Sequence, residues 1–376
     1  MQRIARVLAT LSVASFALVP AVAASAHATG TSDEQPAAFV QTNDPHGNAV
    51  RAYAREADGT LRFTARYATG GKGGAAANAV VDPLASSHSV VYDRADHLLF
   101  VVNAGSNSLS VFGVEGAHLS LRQVISSGGS FPTSIAVHDD LVYALDAGGH
   151  GAVQGYRIFD RRLHWLSSST RSLGLHNANP PDFLTAPGEV GFTPDGNTLV
   201  ITAKKNGPID TFRVFSDGRL SSAPVANAAA GIVPFAFVFD GAGHLVVAEA
   251  GTTSVSTYNV TGTTITAISG PVSDGQAATC WIATARGYFY VANTGSGTLS
   301  AYRVASDGTV TLVGIAATPH GNPIDLIPSP DGHYLYSQNG MGGTVEEYRV
   351  NSSGTLTWIG HIGGLTPHVA EGFAVS

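Results

Sequence analysis

The sequence predicts an all-β, seven-bladed β-propeller with four-stranded antiparallel blades, and three observations carry that prediction. A strand-closing residue is followed by an aromatic nine positions later in Asn103/Phe112, Ala203/Phe212, Glu249/Tyr258, Asn293/Tyr302 and Asn339/Tyr348, and ten positions later in Asn43/Tyr53 and Asp146/Tyr156. Successive aromatics lie 59, 44, 56, 46, 44 and 46 residues apart, close to the ~40–50-residue period of a four-stranded blade. Segments such as "TLSAYRV" and "LVYALDAG" are β-branched, aromatic and bounded by Gly, Asn and Asp, without the 3.6 spacing of helical repeats.

Residues 1–28 read as a secretory signal. Arg3 and Arg6 precede an apolar run that ends in small residues around Ala24, Ser25 and Ala26, a stretch too short and wrongly flanked to be a stable membrane span. The mature protein is therefore expected to be secreted, with residues 29–36 as a disordered tether and 37–376 as the propeller. Removing the signal leaves 18 Lys and Arg against 27 Asp and Glu, a formal charge of −9. No basic cluster remains to follow phosphates, which argues against nucleic acid and anionic membranes as partners. With Cys280 as the single cysteine, no internal disulfide can form. Hydrophobic residues make up 44% of the chain and are spread evenly, so core burial is available to stabilise one closed ring, expected to be monomeric.

The blades can be placed in order. The first hairpin, "FVQTNDPHGNAVRAYAREADG", has no strand before it, whereas each later unit opens with an inner strand: "SHSVVY", "PTSIAV", "PGEVGF", "PFAFVF", "ATCWIA" and "PIDLIP". The C-terminal "AEGFAVS" looks like an inner strand with no hairpin after it. It is expected to complete the first blade and close the ring, pairing edges that an open array would expose.

In an antiparallel meander the connections from strand two to three and from strand four to the next blade share one face. Two sets of polar residues therefore meet at one mouth of the channel. The first set closes strand two: Asn43, Asn103, Asp146, Ala203, Glu249, Asn293 and Asn339. Asn and Asp before Gly also suit plain turns, so the breaks in the pattern, Glu249, Asp146 and the Lys204 and Lys205 beside Ala203, are the more informative. The second set begins the inner strands: Ser89, Ser134, Glu189, Ala236, Cys280, Asp325 and Gly372. Glu189 and Asp325 stand out, because an acid beside a low-dielectric channel needs a partner or a raised pKa. Two such carboxyl groups could supply a general base and an orienting group, or bind a cation.

His88, His320 and His368 immediately precede inner strands, and His176 and His46 fall in loops on the same face, which makes a ligand-contacting histidine expected there. Two connections exceed the usual length, residues 70–87 and 175–186. The second, with its Pro, Asp and His, is expected to act as a lid. No nucleophile elbow, Walker loop, dinucleotide fingerprint, EF-hand loop or zinc-protease motif is present. Cys280, followed by Trp281 in an inner strand, reads as a small buried hydrophobe.

With the blades laid out, "FVVNAGSNSLSVF", "APGEVGFTPDGNTLVIT" and "NPIDLIPSPDGHYLY" resemble the seven-bladed propeller lactonase family, named after bacterial 6-phosphogluconolactonase and similar to the fungal carboxymuconate cyclising enzymes. "DPLASSHSVVYD" resembles its secreted actinobacterial branch. The resemblance implies opening of a small sugar or organic-acid lactone at the channel mouth, with no obligatory cofactor. On the residues, Glu189 or Asp325 is expected to activate water and His88, His320 or His368 to move a proton. Lys204 is expected to hold an oxyanion or carboxylate, with Asn103, Asn293, Glu249 and His176 binding substrate. Two alternatives stay open. One is a non-catalytic propeller binding a polysaccharide, envelope or protein partner. The other is a metal-assisted lactonase or lactonising cycloisomerase holding a divalent cation such as calcium through Glu189, Asn293 and Asp325.

Overall fold

The aromatic that recurs in every repeat is buried wherever it occurs. In the computed structural model, which describes residues 35–204 and 207–376, each of Tyr53, Phe112, Tyr156, Phe212, Tyr258, Tyr302 and Tyr348 is 1% exposed or less. Each packs against the preceding blade, Phe112 with Phe39, Phe212 with Tyr143, and Tyr53 with Tyr336, so the core consists of layers between neighbouring sheets. The expected signal, most of the tether, and Lys205 lie outside the described residues.

Seven antiparallel sheets result. Their inner strands are Phe373–Val375, Val90–Asp93, Pro132–His138, Glu189–Phe192, Pro234–Phe239, Thr279–Ala285 and Pro323–Pro328, numbered here as blades 1 to 7. The C-terminal strand closes the ring as expected, pairing Ala38 with Val375, Phe39 with Ala374 and Val40 with Phe373. Blade 3 departs from the plain pattern. Its outer edge is split into Arg162–Trp165 and Arg171–Ser172, and the intervening Ser169 bonds Gln154 Nε2 at 2.8 Å. Among the described residues no helix is long and apolar enough to cross a membrane.

Two local features decide where polar side chains point. On the inner strands, the ladder to strand two slips by a residue or more at Thr133, at Phe235 and Ala236, at Cys280 and at Asp325. Such bulges re-aim a side chain out of the sheet. The strand-two residues do something different. Asn103 Nδ2 bonds Ser108 and Ser110, Asn293 Nδ2 bonds Thr298 and Ser300, and Glu249 accepts from Ser254 and Ser256. In each case the partners lie five and seven residues ahead, so one side chain staples the turn into strand three.

Candidate active site

The two long connections settle the shape of the mouth. Residues 82–87 pass beneath it as a buried crossbar, Leu84 and Ala85 being 0% exposed. Ser86 Oγ donates to Thr133 O of blade 3 (2.8 Å), and Ser87 N to Gly188 O at the entry to blade 4 (2.9 Å). Trp281 Nε1 of blade 6 donates to Ser86 O (3.1 Å). The 175–186 connection clamps the approach to this segment, Ala77 and Pro181–Phe183 exchanging backbone bonds and Asn78 Nδ2 reaching Asp182 Oδ2 at 2.6 Å. The expected lid is thus a buttress. The Gly- and Ala-rich first connection takes the central place, buried from Asp82 through Ser87.

His88 leaves the end of this crossbar with φ +61°. Its Nδ1 lies 3.0 Å from Glu189 Oε1, across the channel from blade 2 to blade 4. Glu189 Oε2 accepts the N–H of Phe237 (2.9 Å), so the carboxylate is fixed at both oxygens. Solvent reaches 39% of the His88 side chain, against 3% for Glu189, so the imidazole is the accessible member of the pair. Burial would lower its pKa, but the Glu189 carboxylate, its hydrogen bond and the Asp325 charge together raise it to about 9. Asp325, at its bulge with φ +62°, is 4% exposed. Burial raises it to about 7 against the opposing pull of His88. Both residues are in the left-handed region, and each lies in the other's electrostatic field.

The other expected residues are placed elsewhere. His320 is 75% exposed at the rim of blade 7, its Nδ1 3.1 Å from Glu346. His368 is exposed and its Nδ1 lies 2.7 Å from Val80 O, fastening the start of the crossing segment. His176 is exposed and packs edge-on against His150 on blade 3. Asn103, Asn293 and Glu249 are 0% exposed and fully engaged as staples, so they offer substrate no free group. Of the expected calcium set, Asn293 is buried with its carbonyl accepting from Thr279 Oγ1 (2.7 Å). Among the described residues, no three His, Cys, Asp or Glu side chains converge as metal ligands.

Lys204 is 4% exposed, donates to Ala85 O (2.5 Å), and lies over the rings of Phe183 and Phe235 at 5.0 and 4.6 Å. Its ammonium therefore holds the crossbar, and burial lowers it to about 8. Burial likewise pushes the Cys280 thiol up to about 12, consistent with a buried, unreactive group. Sequence reasoning missed Asp82 and Glu371, which are 2% and 1% exposed at the crossbar. The available signal was an acid embedded in an apolar run, "VVDPL" and "VAEGFAV".

Residues 190–367 match the family described as Lactonase, 7-bladed beta-propeller. No curated protein matches the chain. Among solved structures, a Lactobacillus plantarum protein shares 17% identity over 91% of this chain and 99% of its own, with a TM-score of 0.72. A candidate 6-phosphogluconolactonase of Bacteroides fragilis shares 16% over 92% and 99%, with a TM-score of 0.70. A periplasmic gluconolactonase of Pseudomonas aeruginosa shares 14% over 90% and 98%, with a TM-score of 0.68. These likenesses show the propeller fold.

Proposed function

We propose that this chain is an exported lactone hydrolase of the propeller lactonase family whose reaction runs at the channel lumen on His88, Glu189 and Asp325. The observation that carries the reading is the His88–Glu189 pair at 3.0 Å with Asp325 in its field. The environments raise both titrating groups, Asp325 to about 7 and His88 to about 9, and between those values one site holds a base and an acid at the same pH.

Asp325 takes a proton from water as the water oxygen bonds to the lactone carbonyl carbon. The His88 imidazolium, held by Glu189, donates a hydrogen bond to the oxyanion that forms. On collapse the ring C–O bond breaks, the departing alkoxide takes the His88 proton, and Asp325 returns its proton to His88. The product is the open hydroxy acid. That residues 82–87 are buried across the ring while Val91, Gly191, Val238 and Ile327 further along the inner strands are partly exposed supports a substrate approach from the opposite face. Sugar lactones and other small organic-acid lactones are the substrate class the family match favours.

The test is hydrolysis of a lactone panel by the full protein, with and without chelator, beside Asp325→Asn and His88→Gln. Turnover that falls at least about 100-fold in both variants supports these roles, and chelator sensitivity would bring a cation into the step. Absence of turnover on every lactone would overturn the reading.

A binding role has one observation of its own. A cleft of about 1320 Å³ lies on the opposite face between blades 3, 4 and 5, lined by His138, Asp140, Arg157, Arg213 and Phe215 among others. Phe215 is 44% exposed, with the Arg213 guanidinium 5.4 Å from its ring centre, a pairing of planar faces and hydrogen-bond donors that suits a carbohydrate-derived ligand. Loss of oligosaccharide binding in Phe215→Ala would favour it.

A further inference from the structure

The proposed reaction needs His88 held in one place, and His88 follows directly on the crossbar. Two buried carboxyl groups anchor that crossbar, Asp82 at its first residue and Glu371 from the C-terminal segment. Asp82 Oδ1 accepts the N–H of Ala85 (2.7 Å), and Glu371 Oε2 accepts the N–H of Leu84 (2.5 Å). The remaining oxygens, Asp82 Oδ2 and Glu371 Oε1, are buried and, among the described residues, meet no N–H or O–H of any other group. Each carboxyl group lies close enough to act on the other's titration. Two ionised carboxylates repel and have no donor between them, so two buried acids side by side, each with an unmatched oxygen, call for a proton between them.

We infer that Asp82 and Glu371 share one proton, and that this shared proton fastens residues 82–87 across the channel and so makes the pair positioning residues for His88. The catalytic consequence rests on the proposed hydrolase chemistry; the fastening does not. Glu371 belongs to the segment that closes the ring and Asp82 to the segment that crosses it, residues 287 positions apart for the Leu84 bond. One proton therefore ties ring closure to the placement of His88.

The charges around the pair balance with a single proton present. The pair then carries one negative charge, and Lys204, which donates to Ala85 O, carries one positive. Lys204 faces Asp82, Glu371, Asp182 and Cys280, while Glu371 faces Asp82 and Asp325. Burial, and then the Asp82 charge, holds Glu371 well above the usual carboxyl range; Asp82 is itself raised by burial. A carboxyl group raised in the folded state contributes its full stability below its unfolded value and loses it as pH climbs through its folded value. The fastening is thus intact in acid and released as pH climbs through the raised folded value.

The experiment is amide hydrogen exchange on the full protein, corrected for intrinsic rates, followed at Leu84 and Ala85 from about pH 6 to about pH 10. Wild type is compared with Glu371→Gln and Glu371→Ala. The Gln amide can accept from Leu84 and donate to Asp82 without a titrating proton. Wild-type protection is expected to fall roughly tenfold per pH unit once the pair ionises, the slope of a one-proton linkage. Glu371→Gln should keep its protection across that range, and Glu371→Ala should lack it throughout. A flat wild-type profile, or wild-type and Gln profiles that fall in parallel, would overturn the shared proton. In lactone hydrolysis the alkaline limb of kcat should move up in Glu371→Gln. Lack of turnover would count against the catalytic reading alone, because the exchange experiment still decides the fastening.

Discussion

Replacing Asp325 by Asn is expected to stabilise the ring while removing turnover, with the size of the gain set by pH. Asp325 is 4% exposed, and burial, opposed by His88 and by the N–H of Leu326, carries it from 3.8 to about 7. Its folded value is raised, so its stabilising contribution is complete below about 4 and is lost as pH rises to about 7. The shift is roughly three units at about 1.4 kcal/mol each, so the ionised form is held at a cost of about 4 kcal/mol above that window. Asn keeps the shape of the neutral acid and escapes this cost. With an unfolding entropy of roughly 0.7 kcal/mol/K for a ring of this size, Tm should rise by about 5 °C at pH 8.5, with little change near pH 4. Scanning calorimetry at both pH values, beside lactone hydrolysis, measures both effects. A variant no more stable than wild type at pH 8.5, or more stable by the same amount at both pH values, would refute the view of Asp325 as a carboxylate held against its burial.

Glu249→Ala should act on stability alone. It strands the N–H of Gly231 and the hydroxyls of Ser254, Ser256 and Tyr258, and at about 1–3 kcal/mol per buried donor the denaturant midpoint should report a loss of more than about 4 kcal/mol. Turnover per folded molecule should be unchanged, and reduced turnover at an unchanged midpoint would return Glu249 to substrate binding. Deleting residues 372–376 removes Phe373, 1% exposed, and bares the edge of Ala37–Gln41. Loss of the aromatic alone is worth about 3–5 kcal/mol, so circular dichroism should show a chain that no longer folds, and a cooperative melt near wild type would contradict the closure. His320→Ala, at a side chain 75% exposed and paired with Glu346, should leave turnover unchanged, whereas His88→Gln should lose at least about 100-fold. Equal losses in the two would mean that proton transfer is not confined to the lumen.

Ring number, blade order and closure were legible because they rest on period, and period survives without knowledge of any contact. Glu189 and Asp325 were legible as exceptions, acids where their counterparts are Ser, Ala, Cys and Gly. The histidines were ranked by proximity to an inner strand, which cannot tell a side chain aimed into the lumen from one turned to the rim. His88, His320 and His368 all satisfied that rule, and what separates the first is the crossbar that delivers it to Glu189. The role of residues 70–87 was obscured by composition. Gly and Ala suggest looseness, but in this segment they allow close approach: a Cβ on Gly73 would strike the Asn43 carbonyl, and one on Gly105 would strike the Gly73 carbonyl.

The same sequence nonetheless holds a rule that separates structural from chemical polar groups. Where a strand-two residue is followed by hydroxyls at five and seven positions, as in Asn103 with Ser108 and Ser110, Asn293 with Thr298 and Ser300, and Glu249 with Ser254 and Ser256, it staples its own turn, and its remaining bonds are structural too, Asn103 Oδ1 accepting from Asn48 and Thr69 of blade 1. An unusual residue there, Glu249, changes the staple without changing its purpose. The inner-strand bulge obeys the opposite logic. Its occupants, Thr133, Phe235, Ala236, Cys280 and Asp325, have no fixed partner offset along the chain, and the bulge turns the side chain away from the ladder that would satisfy it. A carboxyl group at that position must find its partner on another blade, and the field it meets comes from His88 and Glu189. In a repeating fold, polar groups whose partners recur at fixed offsets belong to the repeat; a polar group whose partner must come from across the ring is the one available for chemistry.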